Sequence, residues 1–448
     1  MKSYFEADLV VVGGGPAGFA AALSAARHGV DVLLLESNGS LGGMSTVGGV
    51  HPFMTFHTKD GQQTVKGIGE ELIQRLVSMN ASRGHVRDTM GETLTVTPFD
   101  PETLKDVMSQ MLREANVRIL LHTFVFDVLT DGDRIEALRA ANKNGEVIIR
   151  GKFFVDGTGD ADVAFFSGCE TEKGENNNGQ VQPCSMLFSM ANVDFEKVRE
   201  YMLAHPEEFH FRTDFDLLKT ELPNSVSGFF SLWKQTQDEI DVEIRRDRFL
   251  FFRGYRDDIA TVNTTRITGV DSTDAEALSD AEILGKHQAL AVAKKMIEHL
   301  PGFENAYLMN IAGTLGIRES RRIVGEYILT LEDLQEGRRF DDEVCLFAYP
   351  VDRHDPTGSG FNEFAVPMYG IPYRCMIPKK MTNLLVSGRS LSCDVMALSS
   401  VRLTPCCMAM GQSAGIAIAL CLQNGLSDVR DVDAVKMREL LLEDKAYL

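Results

Sequence analysis

The chain opens with two short apolar runs on either side of a stretch rich in alanine. Leu9–Val12 is wholly apolar and mostly β-branched, which is typical of a parallel strand buried on both faces. Residues 16–26 contain six alanines, so they predict a slim helix that lies close to a sheet, and Gly29 ends it. Val30–Leu35 supplies the second apolar run. This pattern predicts a strand, a helix and a second parallel strand in immediate succession.

The turn between the first strand and the helix carries three glycines at fixed spacing. Gly13, Gly15 and Gly18 form a GxGxxG pattern. The first makes a tight turn, the second lets a pyrophosphate approach the backbone, and the third permits close helix–strand packing. Glu36 stands 18 residues after Gly18, where a carboxylate accepts hydrogen bonds from ribose hydroxyls and argues against NADP. The alternative is a glycine turn without a nucleotide, but the whole context favours dinucleotide binding.

A second glycine-rich loop separates NAD from FAD. Gly42, Gly43, Met44, Ser45 and Thr46 follow Glu36 closely. A nicotinamide enzyme has no evident need for this loop. A flavin places a flat ring against the backbone, and glycines permit that approach. Here the sequence resembles the FAD-dependent oxidoreductases of the glutathione-reductase-like superfamily, in the branch related to fumarate reductase and succinate dehydrogenase flavoproteins.

Three later segments carry the same resemblance. Residues 152–160 read KFFVDGTGD, residues 313–330 contain a Gly-x-Arg-x-x-Arg pattern, and residues 369–419 are similar to the closing motif of the family. In that motif we expect Thr404 to cap a helix whose first residue is Pro405. The resemblance implies that the start of this helix stabilises negative charge on a reduced flavin. Val395 stands about where several relatives have a histidine, so no acid–base role is carried over to it.

The resemblance implies FAD as a non-covalent cofactor. The residues predicted to contact FAD are Gly13, Gly15, Pro16, Ala17, Gly18, Glu36, Ser37, Gly42, Gly43, Met44, Ser45, Thr46, Val125, Gly157, Asp160, Gly388, Val401, Leu403 and Thr404. Some relatives tether FAD through a histidine near His51 and His57, but the surrounding motif differs here.

The predicted fold class is α/β, with a Rossmann-like FAD-binding domain and an α+β cap domain. The first combines a parallel sheet and helices with a small antiparallel layer, predicted over 124–129, 135–140 and 146–154. We expect a discontinuous FAD-binding domain over residues 1–172 and 368–448, and a substrate-binding cap over 173–367. The polar stretch 174–182 marks the boundary. In the cap, the pattern predicts strands over 184–190, 249–253 and 261–267 and a helix over 278–300.

Composition narrows the function classes. The 448 residues carry a formal net charge of −19, and 44% are hydrophobic. An acidic chain is a poor nucleic-acid binder, and the apolar content is that of a globular protein. Eight cysteines without a CxxC pattern predict buried thiols rather than a disulfide scaffold, a metal site or a dithiol relay. Because we see no leader and no apolar run of about 18 residues, we expect a soluble, cytoplasmic protein without a membrane span.

Arg402, Arg266, Arg318 and His57 are the candidate catalytic residues. Arg402 precedes the last helix and suits a substrate carboxylate, with an ion pair to Glu363 or Asp394 as the structural alternative. Arg266 either acts on substrate or pairs with Asp271, which lies close in sequence. Arg318 belongs to an arginine cluster that is either a solvated face or a site of close approach. His57 follows the second glycine loop and is an acid–base candidate near the flavin ring.

These features predict an oxidoreductase that transfers a hydride between flavin N5 and a small organic substrate, with anionic molecules among the candidates. The electron partner is oxygen, a quinone or a protein carrier, since the chain has no second GxGxxG pattern for NAD(P)H. Two alternatives remain open: a flavoenzyme without net redox chemistry, such as an isomerase or transferase, and an FAD-free binding protein on the same fold.

Overall fold

The computed structural model describes residues 3–448, apart from the side chain of Phe361, so residues 1–2 of the predicted first segment lie outside the described residues. The strands are β1 (Tyr4–Val12), β2 (Val32–Leu35), β3 (Val86–Arg87), β4 (Thr95–Val96), β5 (Arg118–Leu120), β6 (Phe124–Asp131), β7 (Arg134–Asn142), β8 (Gly145–Asp156), β9 (Thr171–Glu172), β10 (Phe188–Ala191), β11 (Ser225–Gly228), β12 (Phe249–Arg253), β13 (Ala260–Val262), β14 (Tyr307–Ile311), β15 (Arg322–Ile323), β16 (Glu343–Phe347), β17 (Val351–His354), β18 (Phe361–Phe364), β19 (Tyr369–Pro372) and β20 (Leu384–Val386). The helices are α1 (Pro16–Arg27), α2 (Gly67–Ser78), α3 (Pro101–Glu114), α4 (Asp162–Phe166), α5 (Phe195–Ala204), α6 (Phe215–Leu218), α7 (Phe230–Gln237), α8 (Ala275–His299), α9 (Leu331–Glu336), α10 (Val395–Val401), α11 (Thr404–Asn424) and α12 (Ala434–Glu443).

The larger sheet has a parallel core, in the order β5-β2-β1-β8, with β20 also paired to β8. Strands β7 and β6 extend it in antiparallel fashion. The strand–helix–strand order at the start of the chain is as predicted, but β1 begins at Tyr4 rather than at Leu9, and β2 begins at Val32 rather than at Val30. The predicted α/β class with a Rossmann-like parallel sheet and an antiparallel layer is therefore confirmed.

Strand β8 differs from the prediction, because the segments 146–154 and 152–156 form one continuous strand. It pairs with β1 along most of its length, with β7 in its first half and with β20 at its end. Gly151 allows this strand to pass close to β1, since a Cβ there would lie 2.9 Å from Cγ2 of Val10. One long strand thus joins the parallel core to the antiparallel layer.

Helices α1 and α11 cross closely on one face of the sheet. A Cβ at Gly411 would lie 2.1 Å from the carbonyl oxygen of Ala17, and one at Gly415 would lie 2.5 Å from that of Ala21. Among the described residues, α11 is the one helix with the length and hydropathy of a membrane span, which the sequence prediction did not anticipate. Its apolar window is 89% buried inside the protein, so it serves as a core helix.

The cap contains an antiparallel sheet in the order β11-β12-β13-β10-β14, with α8 against it. Trp233, Phe249 and Phe251 lie in its separate apolar core. Strands β10 and β13 are shorter than predicted, because the Thr265 hydroxyl accepts a 2.7 Å hydrogen bond from the Met186 N–H in place of a ladder bond. The α+β character of the predicted cap is confirmed. The domain boundaries stay a prediction.

Candidate functional site

The first glycine loop shapes one end of a cavity of about 500 Å³. Gly13 has φ +96°, and a Cβ there would lie 2.5 Å from the carbonyl oxygen of Gly157. A Cβ at Gly18 would lie 1.9 Å from the carbonyl oxygen of Gly13, whereas one at Gly15 would meet nothing within 4 Å. Gly13 and Gly18 thus serve packing, and Gly15 leaves open space at the start of α1. Backbone N–H groups at a helix start favour phosphate.

Glu36 lies at the end of β2 with its side chain fixed at the cavity wall. Its Oε2 accepts a 2.7 Å hydrogen bond from the Gly14 N–H, and its Oε1 accepts 2.8 Å bonds from the N–H and the side-chain amide of Asn38. Glu36, Ser37 and Val125 line the same end of the cavity. A fixed carboxylate beside the open glycine suits the ribose of a dinucleotide.

The second glycine loop packs directly on the first. Gly42 has φ +99°, and its N–H donates a 2.8 Å hydrogen bond to the carbonyl oxygen of Gly14. Gly43 and Met44 line the cavity. Ser45 and Thr46 lie outside its lining and hold the loop: the Ser45 hydroxyl is 3.3 Å from that of Thr404, and the Thr46 hydroxyl donates a 2.7 Å bond to the Leu41 carbonyl.

The ends of β8 and β20 close the middle of the cavity. Gly157, Asp160 and Gly388 line it, together with Pro16 and Ala17 of α1. Next to them, an Asp160 carboxylate oxygen lies 2.9 Å from Nη2 of Arg389. The loop after β8 and the loop after β20 are thereby joined across the cavity.

The start of α11 faces the cavity, but its cap differs from the prediction. Leu403 is the N-cap residue, and Thr404 is the first helical residue. The Thr404 hydroxyl lies against Ser45 instead of capping the helix. Leu403 and Thr404 line the cavity, whereas Val401 is buried within α10 outside the lining. The exposed N–H groups of this helix start still present positive potential to the cavity.

Arg402 and Arg318 come together beyond the helix start. Arg402 donates to the Gln182 amide oxygen at 2.8 Å and to the Asp352 carbonyl at 3.0 Å, and its Nη2 is 3.9 Å from the Asp352 carboxylate. Burial lowers the pKa of the Arg402 guanidinium. Burial and the charge of Arg402 lower the pKa of Arg318 to about 10. Neither the Glu363 nor the Asp394 partner considered for Arg402 is found; the observed partner is Asp352.

Arg318 is held by groups of the cap. It donates to the Pro183 carbonyl at 2.7 Å and to the Ser185 hydroxyl at 2.9 Å. The other arginines of its cluster serve the fold, since Arg322 forms a buried 2.8 Å ion pair with Glu319. The cluster is thus a site of close approach rather than a solvated face.

Arg266 and His57 lie outside the cavity lining. Arg266 is 2% exposed and donates to the carbonyls of Asp355, Gly358 and Gly360 at 2.8–3.1 Å, so it holds this loop. Its considered partner Asp271 pairs with Lys173 at 2.5 Å instead.

His57 Nδ1 lies 3.1 Å from the Thr95 hydroxyl. The histidine that lines the cavity near the second glycine loop is His51, which burial and Arg83 keep neutral by lowering its pKa to about 3.

Sequence reasoning missed the groups that line the side of the cavity under the cap. Asp352 and His354 alternate on β17 and point to one face, with their side chains 3.2 Å apart. Burial opposes ionisation of Asp352, but its contact with His354 and the guanidinium groups of Arg402 and Arg318 keep its pKa below the ordinary value. Burial lowers the pKa of His354 to about 3, so this imidazole is neutral. The VDRH alternation was the available signal, since i and i+2 share a strand face.

A separate cluster of possible metal ligands lies on the surface of the cap. Glu239, Glu298 and His299 bring ligand atoms within 4.8 Å of one another. The Lys295 ammonium lies 2.6 Å from Glu239 and 2.8 Å from Glu298. This lysine already neutralises the two carboxylates, which accounts for the cluster without an ion.

FAD fits the cavity on the evidence of the residues themselves. Gly15 leaves room for a pyrophosphate at a helix start, Glu36 presents a carboxylate for the ribose, and the start of α11 lies at the other end. The family model described as "FAD dependent oxidoreductase" matches residues 8–441. The sequence-based resemblance is therefore confirmed at this level, and so is FAD as the cofactor.

Two curated proteins are similar over part of the chain. A urocanate reductase of Eggerthella lenta is 42% identical over 72 residues, which cover 15% of this chain and 12% of that protein. A thiamine thiazole synthase of Aeropyrum pernix is 26% identical over 171 residues, covering 36% of this chain and 57% of that protein. The matched region thus spans less than two thirds of either relative.

Solved structures with a similar chain path include three proteins. A geranylgeranyl bacteriochlorophyll reductase-like protein of Thermoplasma acidophilum is 11% identical with a TM-score of 0.48, over 98% of this chain and 84% of that chain. A myxobacterial chondrochloren halogenase is 15% identical with a TM-score of 0.48, over 97% and 78%. A p-nitrophenol 4-monooxygenase of Pseudomonas putida is 13% identical with a TM-score of 0.46, over 100% and 87%.

Proposed function

Since this chain belongs to the FAD-dependent oxidoreductase family, we propose that it transfers a hydride between the flavin and a carbon atom of a small anionic organic molecule. Bound FAD supplies the hydride acceptor or donor at N5. The chain itself has to hold the cofactor, grip the substrate and exchange a proton. The oxidant or reductant that completes the cycle is oxygen, a quinone or a protein carrier.

The observation that supports an anionic substrate is the charge balance under the cap. Arg318 and Arg402 face one ionised carboxylate, Asp352. Arg246 lines the adjoining space and is 6% exposed; within the described part of the chain, its side chain donates one hydrogen bond, from Nη2 to the Asn263 carbonyl at 3.1 Å. A buried cation without a carboxylate partner is costly. An anionic ligand would relieve that cost.

Arg246 gives the strongest sign of this imbalance. Its Nε is buried without a hydrogen-bond partner among the described residues. Burial, together with the charges of Arg318 and Arg266, lowers the pKa of this guanidinium to about 9. The group remains charged at neutral pH, and a substrate carboxylate offers it two acceptor oxygens in the geometry that guanidinium prefers.

We assign the remaining roles by position. Gly15 and the start of α1 would hold the pyrophosphate, Glu36 the ribose, and Val125 the adenine end. Gly43, Met44 and the start of α11 would contact the isoalloxazine. Arg402 and Arg318 would orient the substrate, whereas Arg266 and His57 would support the walls around it.

The test is an anaerobic screen of small molecules against the FAD-loaded protein, in both oxidised and photoreduced form. Each carboxylate is paired with its amide or methyl ester, and flavin bleaching or reoxidation is followed by absorbance. We expect a carboxylate to react and its neutral partner to react far more slowly. A reaction equally fast with the neutral partner would overturn the anionic substrate.

A matched pair of variants sharpens the test. Arg246→Gln should weaken binding of the reacting carboxylate about 10- to 100-fold, as expected for the loss of a hydrogen bond to a charged group. Arg245→Gln is the control, because Arg245 is exposed and pairs with Glu243 on the surface. Equal losses in both variants would place the effect in the fold of this segment.

A further inference from the structure

A small side chamber of about 100 Å³ adjoins the main cavity under the cap. The two spaces share Tyr349, Asp352 and His354 as lining residues, so one molecule in the cavity would reach the chamber wall. Glu92 lines only the chamber, and the Tyr349 hydroxyl donates a hydrogen bond to its Oε1. Neither Glu92 nor Tyr349 is among the residues assigned to cofactor or substrate binding.

Both partners are held rigidly. Asp88 is 3% exposed, and its carboxylate accepts hydrogen bonds from the N–H groups of Met90, Glu92 and Thr93 at 2.9–3.1 Å. Tyr349 is 3% exposed, and its carbonyl accepts a bond from the Ser400 hydroxyl. Proton transfer needs donors and acceptors held within hydrogen-bond reach, which this arrangement provides.

The surroundings keep a proton on Glu92. Burial, followed by the nearby carboxylate of Asp352, raises the pKa of Glu92 to about 8. The hydrogen bond from Tyr349 acts against this rise in pKa, Asp88 acts with it and Arg212 acts against it. Burial and Glu92 raise the pKa of the Tyr349 phenol well above 10.

Further charged or titratable side chains face the chamber. They are Arg212, which pairs with Glu363, and Arg246, Arg248, His210 and His354. At neutral pH the Glu92–Tyr349 pair therefore carries a carboxylic acid proton.

Resting on the proposed function, we propose that Tyr349 and Glu92 are the proton-transfer pair of this enzyme, with Tyr349 facing the substrate and Glu92 behind it. In substrate reduction, bound flavin would supply a hydride to one carbon of a double bond. The adjacent carbon takes the proton of the Tyr349 hydroxyl, so a C–H bond forms as the O–H bond breaks. The carboxyl proton of Glu92 passes to the phenolate, and solvent reprotonates the resulting carboxylate. Dehydrogenation runs through the same atoms in reverse.

A purely structural pair would show the same hydrogen bond, so the test needs variants that separate the roles. Glu92→Gln keeps the shape without a dissociable proton, Tyr349→Phe removes the hydroxyl, and the double variant removes both. Tyr373→Phe is the matched control, because Tyr373 is equally buried, at 3%, and donates a 3.0 Å bond to the Val429 carbonyl away from both spaces.

The first readout needs no substrate. Infrared difference spectra of the FAD-loaded protein between pH 6 and pH 9.5 should show loss of a protonated carboxyl band with a midpoint near pH 8, and Glu92→Gln should lack it. In thermal unfolding, the parent should lose stability relative to Glu92→Gln as pH rises from about 4.5 to 8, because a group with a raised folded pKa favours folding only while it is protonated. A parent without that band at pH 6 would overturn the proposal.

The second readout uses the carboxylate found to react in the anaerobic screen. Each single variant should slow its single-turnover reaction about 100-fold or more, with its Kd changed less than about threefold, and should remove the pH dependence centred near 8. The double variant should be no slower than the slower single one, since the two groups act as a unit. Tyr373→Phe should react as the parent does.

The outcomes separate the two proposals. A parent that reacts with no carboxylate in the panel overturns the proposed function, and the proton-transfer role falls with it. A parent that reacts while Glu92→Gln and Tyr349→Phe keep its rate and pH profile overturns the proton-transfer role alone. If the rate losses of the two single variants multiply in the double variant, the proton-transfer role is also overturned.

Discussion

The two ends of the cavity are built in different ways. At the cofactor end the wall is backbone, set by Gly13, Gly15 and Gly43 on consecutive loops of one short segment. Under the cap the wall is ionisable side chains drawn from distant segments; in the adjoining chamber, for example, Glu92 and Tyr349 are 257 positions apart. Backbone geometry suits a cofactor that is shared across a family, while side chains can change with the substrate. The following experiments probe this division.

The largest expected effect is at Gly15, where the wall is backbone alone. Gly15 has φ −69° and ψ −177°, which valine adopts readily, and a Cβ there would meet no protein atom within 4 Å. We therefore expect Gly15→Val to fold but to purify without flavin, since the side chain takes the place of the pyrophosphate. The flavin-to-protein absorbance ratio measures this directly.

Gly360→Val is the matched control, because Gly360 also faces open space but lies outside the cavity. It should retain its flavin. A Gly15→Val protein with a full complement of flavin would contradict the assigned phosphate position.

Non-covalent binding predicts complete release of the cofactor. His51 lines the cavity and is neutral, while His57 hydrogen-bonds to Thr95 outside it. We expect acid denaturation to leave all flavin in the supernatant after the protein is precipitated. Flavin fluorescence that stays with the protein band on a denaturing gel would instead indicate a covalent link, to be mapped first at His51.

The cap end should respond to charge and shape at Arg402. Loss of a hydrogen-bonding guanidinium predicts that Arg402→Ala lowers kcat/KM for the reacting carboxylate by about 10- to 100-fold. Arg402→Lys should lose less, because it keeps the charge and gives up the planar fork. If Arg402 binds the substrate, its loss should raise KM and leave the flavin potential unchanged. If Arg402 stabilises reduced flavin, its loss should lower the flavin potential even without substrate.

A structural role for Arg402 makes a third, distinct expectation. Its bonds to Gln182 and Asp352 tie α10 to β17, so a purely structural role predicts a lower Tm with neither kinetic signature. Arg353→Ala is the control, since Arg353 lies on β17 next to Asp352 but pairs with Glu175.

The contrast between the backbone wall at the cofactor end and the side-chain wall under the cap also explains what the sequence could predict. The order of the β1–α1–β2 unit and the ends of its strands at Val12 and Leu35 were predicted correctly, because apolar runs and glycine spacing are local signals. The start of β1 at Tyr4 was not, because the more polar residues before Leu9 carry no such signal. The N-cap residue of helix α11 was predicted to be Thr404, but it is Leu403, because Ser45 from a distant loop provides the partner for the Thr404 hydroxyl. No local pattern predicts such a long-range contact.

The chamber under the cap shows the limit more clearly. Arg246 sits in a charged stretch, RRDR, that reads as solvated surface, yet it is 6% exposed. Arg266 was expected either to act on substrate or to pair with Asp271, but it holds the loop that carries Gly358. Which charge is buried, and beside which partner, depends on how the cap folds over the sheet, and one sequence does not encode that locally.

A smaller effect is expected at Glu36, where a side chain joins the backbone wall. Glu36→Gln keeps an acceptor for the Gly14 N–H but loses the charge that strengthens a ribose hydrogen bond. We expect the Kd for FAD to rise about tenfold with an unchanged fold. Glu6→Gln on β1, at the exposed surface, is the control. An unchanged Kd would remove Glu36 as the ribose acceptor.

The last effect, on stability rather than on binding or rate, should appear at His51, which lines the cavity near the second glycine loop. Its ring is 4.9 Å from that of Phe99, and burial with the nearby charge of Arg83 lowers its pKa to about 3. An unfolded histidine binds a proton near pH 6.5, so between about pH 6.5 and 3 the unfolded chain binds more protons and the folded protein loses stability as pH falls. His51→Gln lacks this titration. As the pH falls from 6.5 to 4, its free energy of unfolding should therefore rise by about 1–3 kcal/mol relative to that of the parent. Thermal unfolding at the two pH values measures the difference, with the exposed His287→Gln as control. If the parent and His51→Gln lose stability in parallel as the pH falls, His51 is protonated in the folded protein, and the cavity wall at this position is not neutral.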